Sequence, residues 1–442
     1  MIEIQDIVST GARTIPLSQA MAAIIDYRGK TPAKTTHGVP LITAKIIKGG
    51  KIEPPSEFIS EDEYDVWMRR GMPQVGDVVI TTEAPIGEVA QLHSERVALA
   101  QRVILLRGDA QVLDNTFLKY LMLSDEVQVQ LRSRASGTTV TGIKQSELRK
   151  IMLRIPSLET QREIAATLDS LDRRIDLLKA TNETLDAMAR AIFKSWFVDF
   201  DPVRAKAEGR EPDGMDAATA AFFPSEFQDS ELGPLPERWV VRTIGDICEA
   251  VGGSTPSTKN EEYWNNGEFH WTTPKDLSDL KSPILLDSER KLTAKGIASV
   301  GSGLLPVGTV LLSSRAPIGY IAIAEISTAI NQGFIAMKAN HGVSNLFLWL
   351  WTANSIELIK SRANGSTFQE ISKKNFRPIL LAVPVAEVME RFDMITRPLY
   401  EKIVCNDRQR LLLTALRDTL LPRLISGKLR VPEAETMLAE AV

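Results

Sequence analysis

The sequence predicts an α+β protein built by tandem duplication. Two mixed α/β domains are each followed by a long helix, and the two helices form an antiparallel coiled coil. Three observations predict this fold. Several motifs occur twice in the same order, about 230 positions apart. Each copy ends in a segment with a heptad apolar pattern, and a stretch rich in Pro, Gly and acidic residues separates the two copies.

The composition indicates a soluble protein of two or three domains. The chain has 442 residues, of which 44% are hydrophobic and 24% charged. Two cysteines, Cys248 and Cys405, give no disulfide framework. No run of eighteen apolar residues occurs, and the first residues lack a basic-then-apolar export pattern. We therefore expect a cytoplasmic location and no membrane partner.

The clearest repeat surrounds the tetrapeptide Ala-Pro-Ile-Gly. The first copy reads "VGDVVITTEAPIGEVA" (75–90) and the second reads "VGTVLLSSRAPIGYIA" (307–322). A β-branched run, a Pro/Gly turn and a second apolar run predict strand, tight turn and strand. Four further pairs keep the same order: "RGKTP" with "GGSTP", "LITAKI" with "WTTPKD", "AQRVILL" with "NQGFIAM", and "RASGTTVTGI" with "RANGSTFQEI".

The two repeats, the long helices and the Pro/Gly-rich stretch between the copies divide the chain into six segments. Residues 199–232 hold 3 basic and 9 acidic residues, which predicts an exposed connector with little core of its own. The predicted segments are a first domain at 1–157, a first helix at 158–198, an acidic connector at 199–236, a second domain at 237–385, a second helix at 386–428 and a C-terminal tail at 429–442.

The two long helices have an apolar seam. Apolar positions alternate in steps of four and three, which predicts a coiled coil. Asn182 and Ala189 interrupt the first seam, and a polar seam residue commonly fixes the register. Two amphipathic helices on separate cores are the alternative. The predicted seam residues are Ile164, Leu168, Leu171, Ile175, Leu178, Leu185 and Ile192 in the first helix, and Leu399, Ile403, Leu413, Leu420 and Leu424 in the second.

Sequence motifs of catalysis are missing. Ile24 stands where a phosphate loop ending in "RGKT" needs its first glycine, and Pro306 stands where a dinucleotide motif needs its third. The four histidines (His37, His93, His270 and His341) are scattered without metal-ligand spacing. We therefore predict no catalytic residues and no metal site, and a role in recognition.

Duplication suits the recognition of DNA. Two similar domains on antiparallel helices would meet two half-sites at a fixed spacing. A helix over 160–197 would be about 57 Å long at ~1.5 Å per residue, which exceeds one DNA turn of roughly 34 Å. Because the copies have diverged, the sequence predicts a split, asymmetric site. The net charge is −4, so DNA binding must come from local basic patches or from a basic partner.

Four stretches of the sequence carry a resemblance to a known family. The segment "ETQREIAATLDSLDRRIDLLKATNETLDAMARAIFKSWFVDFDPV" and the ending "LLLTALRDTLLPRLISGKLRV" resemble the conserved regions of type I restriction–modification specificity subunits. The "GDVVITTEAPIG" and "RASGTT" turns resemble parts of that family's target-recognition domains. The resemblance covers nearly the whole chain.

The resemblance implies a non-catalytic subunit that reads a bipartite site in double-stranded DNA, one half per recognition domain. It implies two methyltransferase subunits as partners, which use S-adenosylmethionine to methylate adenine N6. It also implies restriction/translocase subunits that use ATP and magnesium. No cofactor is expected on this chain itself. The conserved helices serve as spacer and docking surface in that family.

Loop residues with basic or amide side chains are the DNA-binding candidates. Basic residues shared by both copies, Lys45 with Lys275 and Arg134 with Arg362, are suited to contacts with phosphates. Glu83 and Arg315 stand at equivalent positions but differ, so they are better candidates for base specificity. The candidates are Arg28, Lys30, Lys45, Arg134, Thr138, Thr139 and Lys144 in the first domain, and Lys259, Lys275, Arg315, Arg362, Asn364, Lys373 and Lys374 in the second. We expect the two Ala-Pro-Ile-Gly turns themselves to be structural.

The end of the first helix is unusually aromatic. Trp196, Phe197 and Phe200 give it more apolar surface than a lone helix end should expose. We expect burial either against the returning helix or under a methyltransferase subunit, which makes these residues partner-docking candidates. Two other functional classes stay open at this point: a degenerate DNA methyltransferase, which lacks its cofactor motif, and a coiled-coil scaffold whose twin domains bind protein.

Overall fold

The computed structural model describes residues 12–27, 31–137, 141–365 and 369–441. The chain forms two units: unit 1 comprises residues 1–175 and 412–442, and unit 2 comprises residues 176–411. Two forty-residue helices, α6 (Leu158–Phe197) and α15 (Ala386–Ile425), each contribute residues to both units.

Unit 1 contains eleven strands and six further helices among its described residues. The strands are β1 (Arg13–Pro16), β2 (Met21–Asp26), β3 (Val39–Ile42), β4 (Ile47–Lys48), β5 (Lys51–Ile52), β6 (Phe58–Ile59), β7 (Val78–Thr82), β8 (Ile86–Gln91), β9 (Ala98–Leu99), β10 (Val103–Gly108) and β11 (Met152–Ile155). The helices are α1 (Leu17–Ala20), α2 (Glu61–Trp67), α3 (Asn115–Leu123), α4 (Asp125–Ser133), α5 (Gln145–Leu148) and, near the C-terminus, α16 (Val431–Ala441).

The main sheet of unit 1 has the order β2-β10-β7-β8 and is antiparallel. All five residues of β7 are buried, because strands flank it and both of its faces are covered. That explains its continuous β-branched run in place of an alternating pattern. A second sheet has the order β6-β3-β9, and β1 pairs with β11 just before α6 begins.

The helix pair in unit 1 joins the first part of α6 to the last part of α15. The predicted seam residues Ile164, Leu168 and Leu171 are buried there, as are Ile175, Leu413, Leu420 and Leu424. Asp172 Oδ1 accepts a hydrogen bond of 2.9 Å from Arg417 Nη1, which ties one helix to the other. Burial of this apolar seam stabilises the pair.

Asp172 is also the centre of a buried charged cluster that includes α3. Its Oδ2 accepts hydrogen bonds from Tyr120 Oη at 2.7 Å and from Lys119 Nζ at 3.1 Å. Burial opposes ionisation of Asp172, but the Lys119 charge and the hydrogen bonds from Arg417, Tyr120 and Lys119 outweigh it and lower its pKa. The carboxylate therefore stays charged between two cations.

Unit 2 contains twelve strands and eight short helices among its described residues. The strands are β12 (Phe227–Gln228), β13 (Leu235–Pro236), β14 (Val240–Thr243), β15 (Cys248–Val251), β16 (Phe269–Thr272), β17 (Ile284–Leu285), β18 (Arg290–Leu292), β19 (Val310–Ser313), β20 (Ile321–Ala324), β21 (Thr328–Ile330), β22 (Phe334–Ala339) and β23 (Leu380–Val383). The short helices are α7 (Asp201–Ala207), α8 (Ala217–Ala220), α9 (Ile244–Ile247), α10 (Pro274–Ser278), α11 (Ala294–Ala298), α12 (Asn345–Asn354), α13 (Ile356–Ser361) and α14 (Lys373–Phe376).

The strand topology of unit 2 repeats that of unit 1. Its main sheet runs β15-β22-β19-β20, with β17 added at the edge. The small sheet β18-β16-β21 matches β6-β3-β9, and the β14–β23 pair matches β1–β11. The predicted duplication into two mixed α/β domains is therefore confirmed at the level of strand order.

The helix pair in unit 2 joins the later part of α6 to the earlier part of α15. Asn406 Nδ2 donates to Asn182 Oδ1 at 2.8 Å, and further along α6 the Trp196 ring meets Phe392, which lies earlier on α15. The helices are therefore antiparallel, as predicted, and they pack on each other rather than on separate cores. Of the predicted seam residues, Leu178 and Ile403 are buried, whereas Leu185, Ile192 and Leu399 are partly buried.

The two seam asparagines are both buried. Asn182 Nδ2 also donates to the Ile403 carbonyl oxygen at 3.3 Å. The amide–amide hydrogen bond forms in the observed register of the two helices, and a shifted register would break it. Asn406 Oδ1 has no hydrogen-bond partner among the described residues. This pair therefore specifies the alignment of the helices in unit 2.

The acidic segment after α6 differs from the exposed connector predicted from its composition. Val203, Phe223 and Leu235 are almost fully buried and belong to the core of unit 2. Acidic, Gly and Pro residues dominate the composition of this segment, but a few apolar side chains spaced along it are buried in the core. In the part of the chain that the structure describes, no helix has the length and apolar character needed to cross a membrane.

Candidate nucleic-acid interface

Both Ala-Pro-Ile-Gly turns have the same backbone. The Ala84–Pro85 and Ala316–Pro317 peptide bonds are cis, and both alanines have positive φ, 49° and 53°. A buried hydroxyl residue at the end of the preceding strand binds each turn. Thr81 Oγ1 accepts from the Glu88 N–H at 2.9 Å, and Ser313 Oγ occupies the corresponding place in unit 2. The hydroxyl residues of the repeat therefore hold the turn, which is a structural role.

A series of backbone hydrogen bonds gathers the repeated motifs of unit 1 at one end of the sheet. Ile143 N donates to Thr82 O, Thr82 N donates to Arg102 O, and Ala100 N donates to Ile42 O, each at 2.9 Å. The first bond joins the motif "RASGTTVTGI" to the end of β7, which precedes the Ala-Pro-Ile-Gly turn. The second joins β7 to "AQRVILL", and the third joins "AQRVILL" to "LITAKI". Motifs far apart in the chain thus form one loop face, here called loop face 1.

Unit 2 has the equivalent hydrogen bonds. Ile371 N donates to Ser314 O at 3.0 Å, Ser314 N to Gly333 O at 2.8 Å, and Asn331 N to Thr272 O at 3.1 Å. The resulting loop face 2 joins "RANGSTFQEI", the second turn, "NQGFIAM" and "WTTPKD". The repeated motifs are therefore the parts of each domain that meet at one end of its sheet.

Three of the seven candidates in the first domain belong to the described part of loop face 1. Lys45 is exposed just after β3, and Lys144 is exposed immediately before α5. Arg134 follows α4, and its buried Nε has no hydrogen-bond partner among the described residues. Arg28, Lys30, Thr138 and Thr139 lie outside the described residues.

Loop face 2 includes most candidates of the second domain. Lys373 Nζ lies beside Gly252, since a Cβ added to that glycine would come within 3.3 Å of it. Lys374 is exposed on α14, and Arg362 and Asn364 are exposed on the loop after α13. Lys259 is exposed in the loop after β15, beyond the motif "GGSTP".

Lys275 differs from these because it has an acidic partner. Its Nζ donates to Glu289 Oε2 at 2.8 Å, and that hydrogen bond raises the pKa of Lys275. The ammonium is fully charged at neutral pH and its side chain is solvent-exposed, so a phosphate could displace the weak surface pair.

Each loop face also contains an ion pair that includes the residue before the Ala-Pro-Ile-Gly turn. Glu83 Oε1 lies 2.8 Å from Arg102 Nε, and Arg315 Nη1 lies 3.8 Å from Glu370 Oε2. The partners Arg102 and Glu370 escaped the sequence prediction. The aligned motifs contain the signal that could have found them, because each partner aligns with a glycine in the other copy.

Comparison with known proteins identifies the family. The model of the type I restriction modification DNA specificity domain matches this chain twice, at residues 40–187 and 236–395. These two matches cover well over half of the chain. The chain belongs to this family.

Relatives that match about three quarters or more of the chain agree with that membership. The Type I restriction enzyme HindI specificity subunit of Haemophilus influenzae is 24% identical over 76% of this chain and 82% of the relative. The MjaIX specificity subunit of Methanocaldococcus jannaschii is 26% identical over 81% of this chain and 78% of the relative. The type I restriction–modification S subunit of M. genitalium shares the fold, with a TM-score of 0.60, 17% identity, and coverage of 94% of this chain and 96% of the other.

The resemblance to type I specificity subunits is thus confirmed, and each of the two specificity domains supplies one loop face. The relatives are named specificity subunits rather than methyltransferases, which agrees with the prediction of a chain that is not itself an enzyme.

The structure buries two of the three aromatic docking candidates of this specificity chain against its own second long helix. Trp196 and Phe197 are 6% and 7% exposed, and the Phe197 ring packs edge-on against Phe392 of α15 with centroids 4.8 Å apart. Phe200 is partly buried, with its ring 5.6 Å from that of Trp239. Of the two burials expected from the sequence, the one against the returning helix is therefore the one observed.

Proposed function

We propose that this chain selects the DNA sequence on which a type I restriction–modification system acts. The observation that carries the proposal is the convergence of the repeated motifs on one loop face in each specificity domain. Loops that cluster at one end of a rigid sheet can reach the edges of base pairs while the sheet fixes their position.

The proposed target is double-stranded DNA with two different half-sites, one per domain. Matched basic residues in both copies, Lys45 with Lys275 and Arg134 with Arg362, suit contacts with phosphate, which every sequence offers. Side chains that differ at matched positions give the two domains different base preferences. The site is therefore bipartite and asymmetric, with a gap between its halves.

The chain acts by bringing other subunits to that site. Two methyltransferase subunits, which use S-adenosylmethionine, methylate adenine N6 in each half-site. Restriction/translocase subunits, which use ATP and magnesium, join the same assembly. Adenine must leave the base stack before it can be methylated, so the partner and this chain hold the DNA together. Basic surfaces of the partners compensate for the net charge of −4 on this chain.

A genome-wide map of N6-methyladenine, made with and without this gene, tests the proposal. Deleting the gene while the neighbouring methyltransferase is still expressed should abolish methylation of one split motif, two short halves with a fixed gap. Single-molecule sequencing measures this and reveals the target in the same experiment. If no motif disappears, the proposal is wrong, and the twin domains are better regarded as a protein-binding scaffold without salt-dependent DNA affinity.

Replacing one domain should change one half-site. Residues 1–157, exchanged for the equivalent segment of another family member, keep the β1–β11 pair together and end just before α6 begins. The expected methylation motif has one new half, while the other half and the gap stay unchanged. The same sequencing measures both halves, and the reciprocal exchange of residues 237–385 is the matched control. A change in both halves would contradict the proposal that each domain recognises one half-site.

A further inference from the structure

The two specificity domains contain inverted charges at one equivalent position. Glu83 and Arg315 both follow a fully buried strand, β7 or β19, and both directly precede the alanine of the cis-proline turn. Both side chains are partly exposed, with 37% and 38% of their surface accessible. The same backbone therefore presents an acid on loop face 1 and a base on loop face 2.

Each of these charges has an opposite partner, but the partner comes from a different motif in each domain. Glu83 pairs with Arg102 of the motif "AQRVILL", whereas Arg315 pairs with Glu370 of the motif "RANGSTFQEI". The position equivalent to Arg102 is Gly333, and the position equivalent to Glu370 is Gly142. Three equivalent positions thus hold Glu, Arg and Gly in one domain and Arg, Gly and Glu in the other.

The cluster is a closely packed part of each loop face. In unit 1, a Cβ on Gly142 would meet Glu83 Cβ at 3.1 Å, so the glycine leaves room for the acidic side chain. In unit 2, Arg315 and Glu370 lie on directly bridged backbone segments, and the same is true of Glu83 and Gly142. The three equivalent positions therefore lie at the same place on the two loop faces, although the ion pair uses a different two of them in each domain.

Stability does not account for this arrangement. Exposed ion pairs contribute little to folding, and one pair copied into both domains would close the loops equally well. A carboxylate on a surface that approaches phosphates is repelled by them, unless it accepts hydrogen bonds from a base and a nearby cation offsets its charge. Glu83 with Arg102 meets that second condition.

We propose that Glu83 and Arg315 are the base-reading residues at this position of the two half-sites, and that their opposite charges select opposite base edges. Arg315 donates two hydrogen bonds to O6 and N7 of guanine, and Glu83 accepts from the N4 amino group of cytosine. Glu370 and Arg102 orient these side chains and balance their charge before DNA binds. The inference rests on the function proposed above, and it names the bases that this site recognises.

The test is the methylation motif of the full chain, expressed with its methyltransferase partner in cells that lack the native gene. Arg315→Gln should lower the selectivity for guanine at one position of one half-site by about 10- to 100-fold and shift it toward adenine, which glutamine prefers. Glu83→Gln should shift a cytosine toward adenine in the other half-site. Arg315→Lys preserves the charge but loses the two-bond geometry, so it should also relax selectivity.

Lys295→Ala is the matched control, because it removes one cation from another exposed ion pair of unit 2, Lys295 with Glu262. It should leave both halves unchanged. If the parental motif is present but Arg315→Gln and Glu83→Gln leave it unaltered, or each alters both halves, the base-reading assignment is wrong and the proposed function stands. If the parental chain directs no split motif at all, the proposed function itself fails.

Discussion

Asp172→Asn should lower the free energy of unfolding by about 3–5 kcal/mol, because it removes the buried counter-charge shared by Lys119, which is buried, and Arg417, which is partly buried. Asp172 is 8% exposed and lies between Lys119 Nζ and Arg417 Nη1, at 3.1 and 2.9 Å. Asparagine has nearly the same volume, so the loss reports on charge rather than on packing. Urea unfolding followed by circular dichroism gives the change, which should appear as a lower midpoint with an unchanged slope.

Asp418→Asn is the matched control for this prediction. Asp418 contacts the same arginine, with 2.7 Å between Oδ1 and Arg417 Nη2, but its side chain is 60% exposed. Removing an exposed partner should cost about 0–1 kcal/mol. Equal losses from the two substitutions would show that burial of Asp172 contributes nothing to its interaction energy.

Protonation of the same carboxylate should lower the free energy of unfolding in acid. The folded chain lowers the pKa of Asp172 relative to its unfolded value, which is about 3.9. Its charge therefore contributes full stability above that pH, and this contribution is lost as the pH falls through the lower, folded pKa. The Asp172→Asn chain should lack this part of the acid-induced loss, so the two stability curves should converge below about pH 4.

Phe392→Ala should destabilise the chain by about 3–5 kcal/mol through a cavity in the core of unit 2. The Phe392 side chain is fully buried, and its ring lies 4.8 Å from Phe197 and 6.0 Å from Trp196 between centroids. The lost stability combines the transfer free energy of the ring with the contacts its neighbours lose. Chemical unfolding followed by circular dichroism measures it.

Met394→Ala, two positions along the same helix, separates packing from helix propensity. Met394 is 64% exposed, so its truncation should change the free energy of unfolding by no more than about 0.5 kcal/mol. If Phe392→Ala is equally mild, the aromatic cluster of α6 and α15 is not the main contact between these helices in unit 2.

The repeated motifs made the domain architecture predictable because both copies fold under the same local rules. The β-branched runs around the Ala-Pro-Ile-Gly turns become buried neighbouring strands, and the heptad pattern becomes α6 and α15. Hydrophobic periodicity and turn residues determine structure over a few positions, so both can be recognised in a single sequence.

The polar interactions of the helices were harder to predict. When the two long helices are aligned as repeats with an offset of 228 residues, Arg417 corresponds to Ala189, yet in the structure Arg417 contacts Asp172. Alignment compares equivalent positions of two copies, whereas an antiparallel pair brings together positions that move in opposite directions along the chain. For the same reason, the partner of Asn182 proved to be Asn406.

Composition predicts the connector wrongly and leaves open what covers the aromatic helix end. Nine acidic residues in 199–232 outweighed the few apolar ones, but Val203 and Phe223 are buried. Trp196 and Phe197 are too apolar for a free helix end, and of the two covers expected from the sequence the structure shows this chain's own second long helix. The average composition of a segment indicates how well it is solvated, but it does not predict which of its side chains are buried.

The sequence by itself determined the duplication, the strand–turn–strand repeat, the heptad seam and the family, since each depends on residue order over short spans. Only the tertiary structure decided which charges meet: Asp172 with Arg417 inside unit 1, Glu83 with Arg102 on loop face 1, and Arg315 with Glu370 on loop face 2. Charge pairing depends on distances of a few ångströms between residues remote in the chain. Those distances exist only once the hydrophobic core has fixed the loops and helices in place.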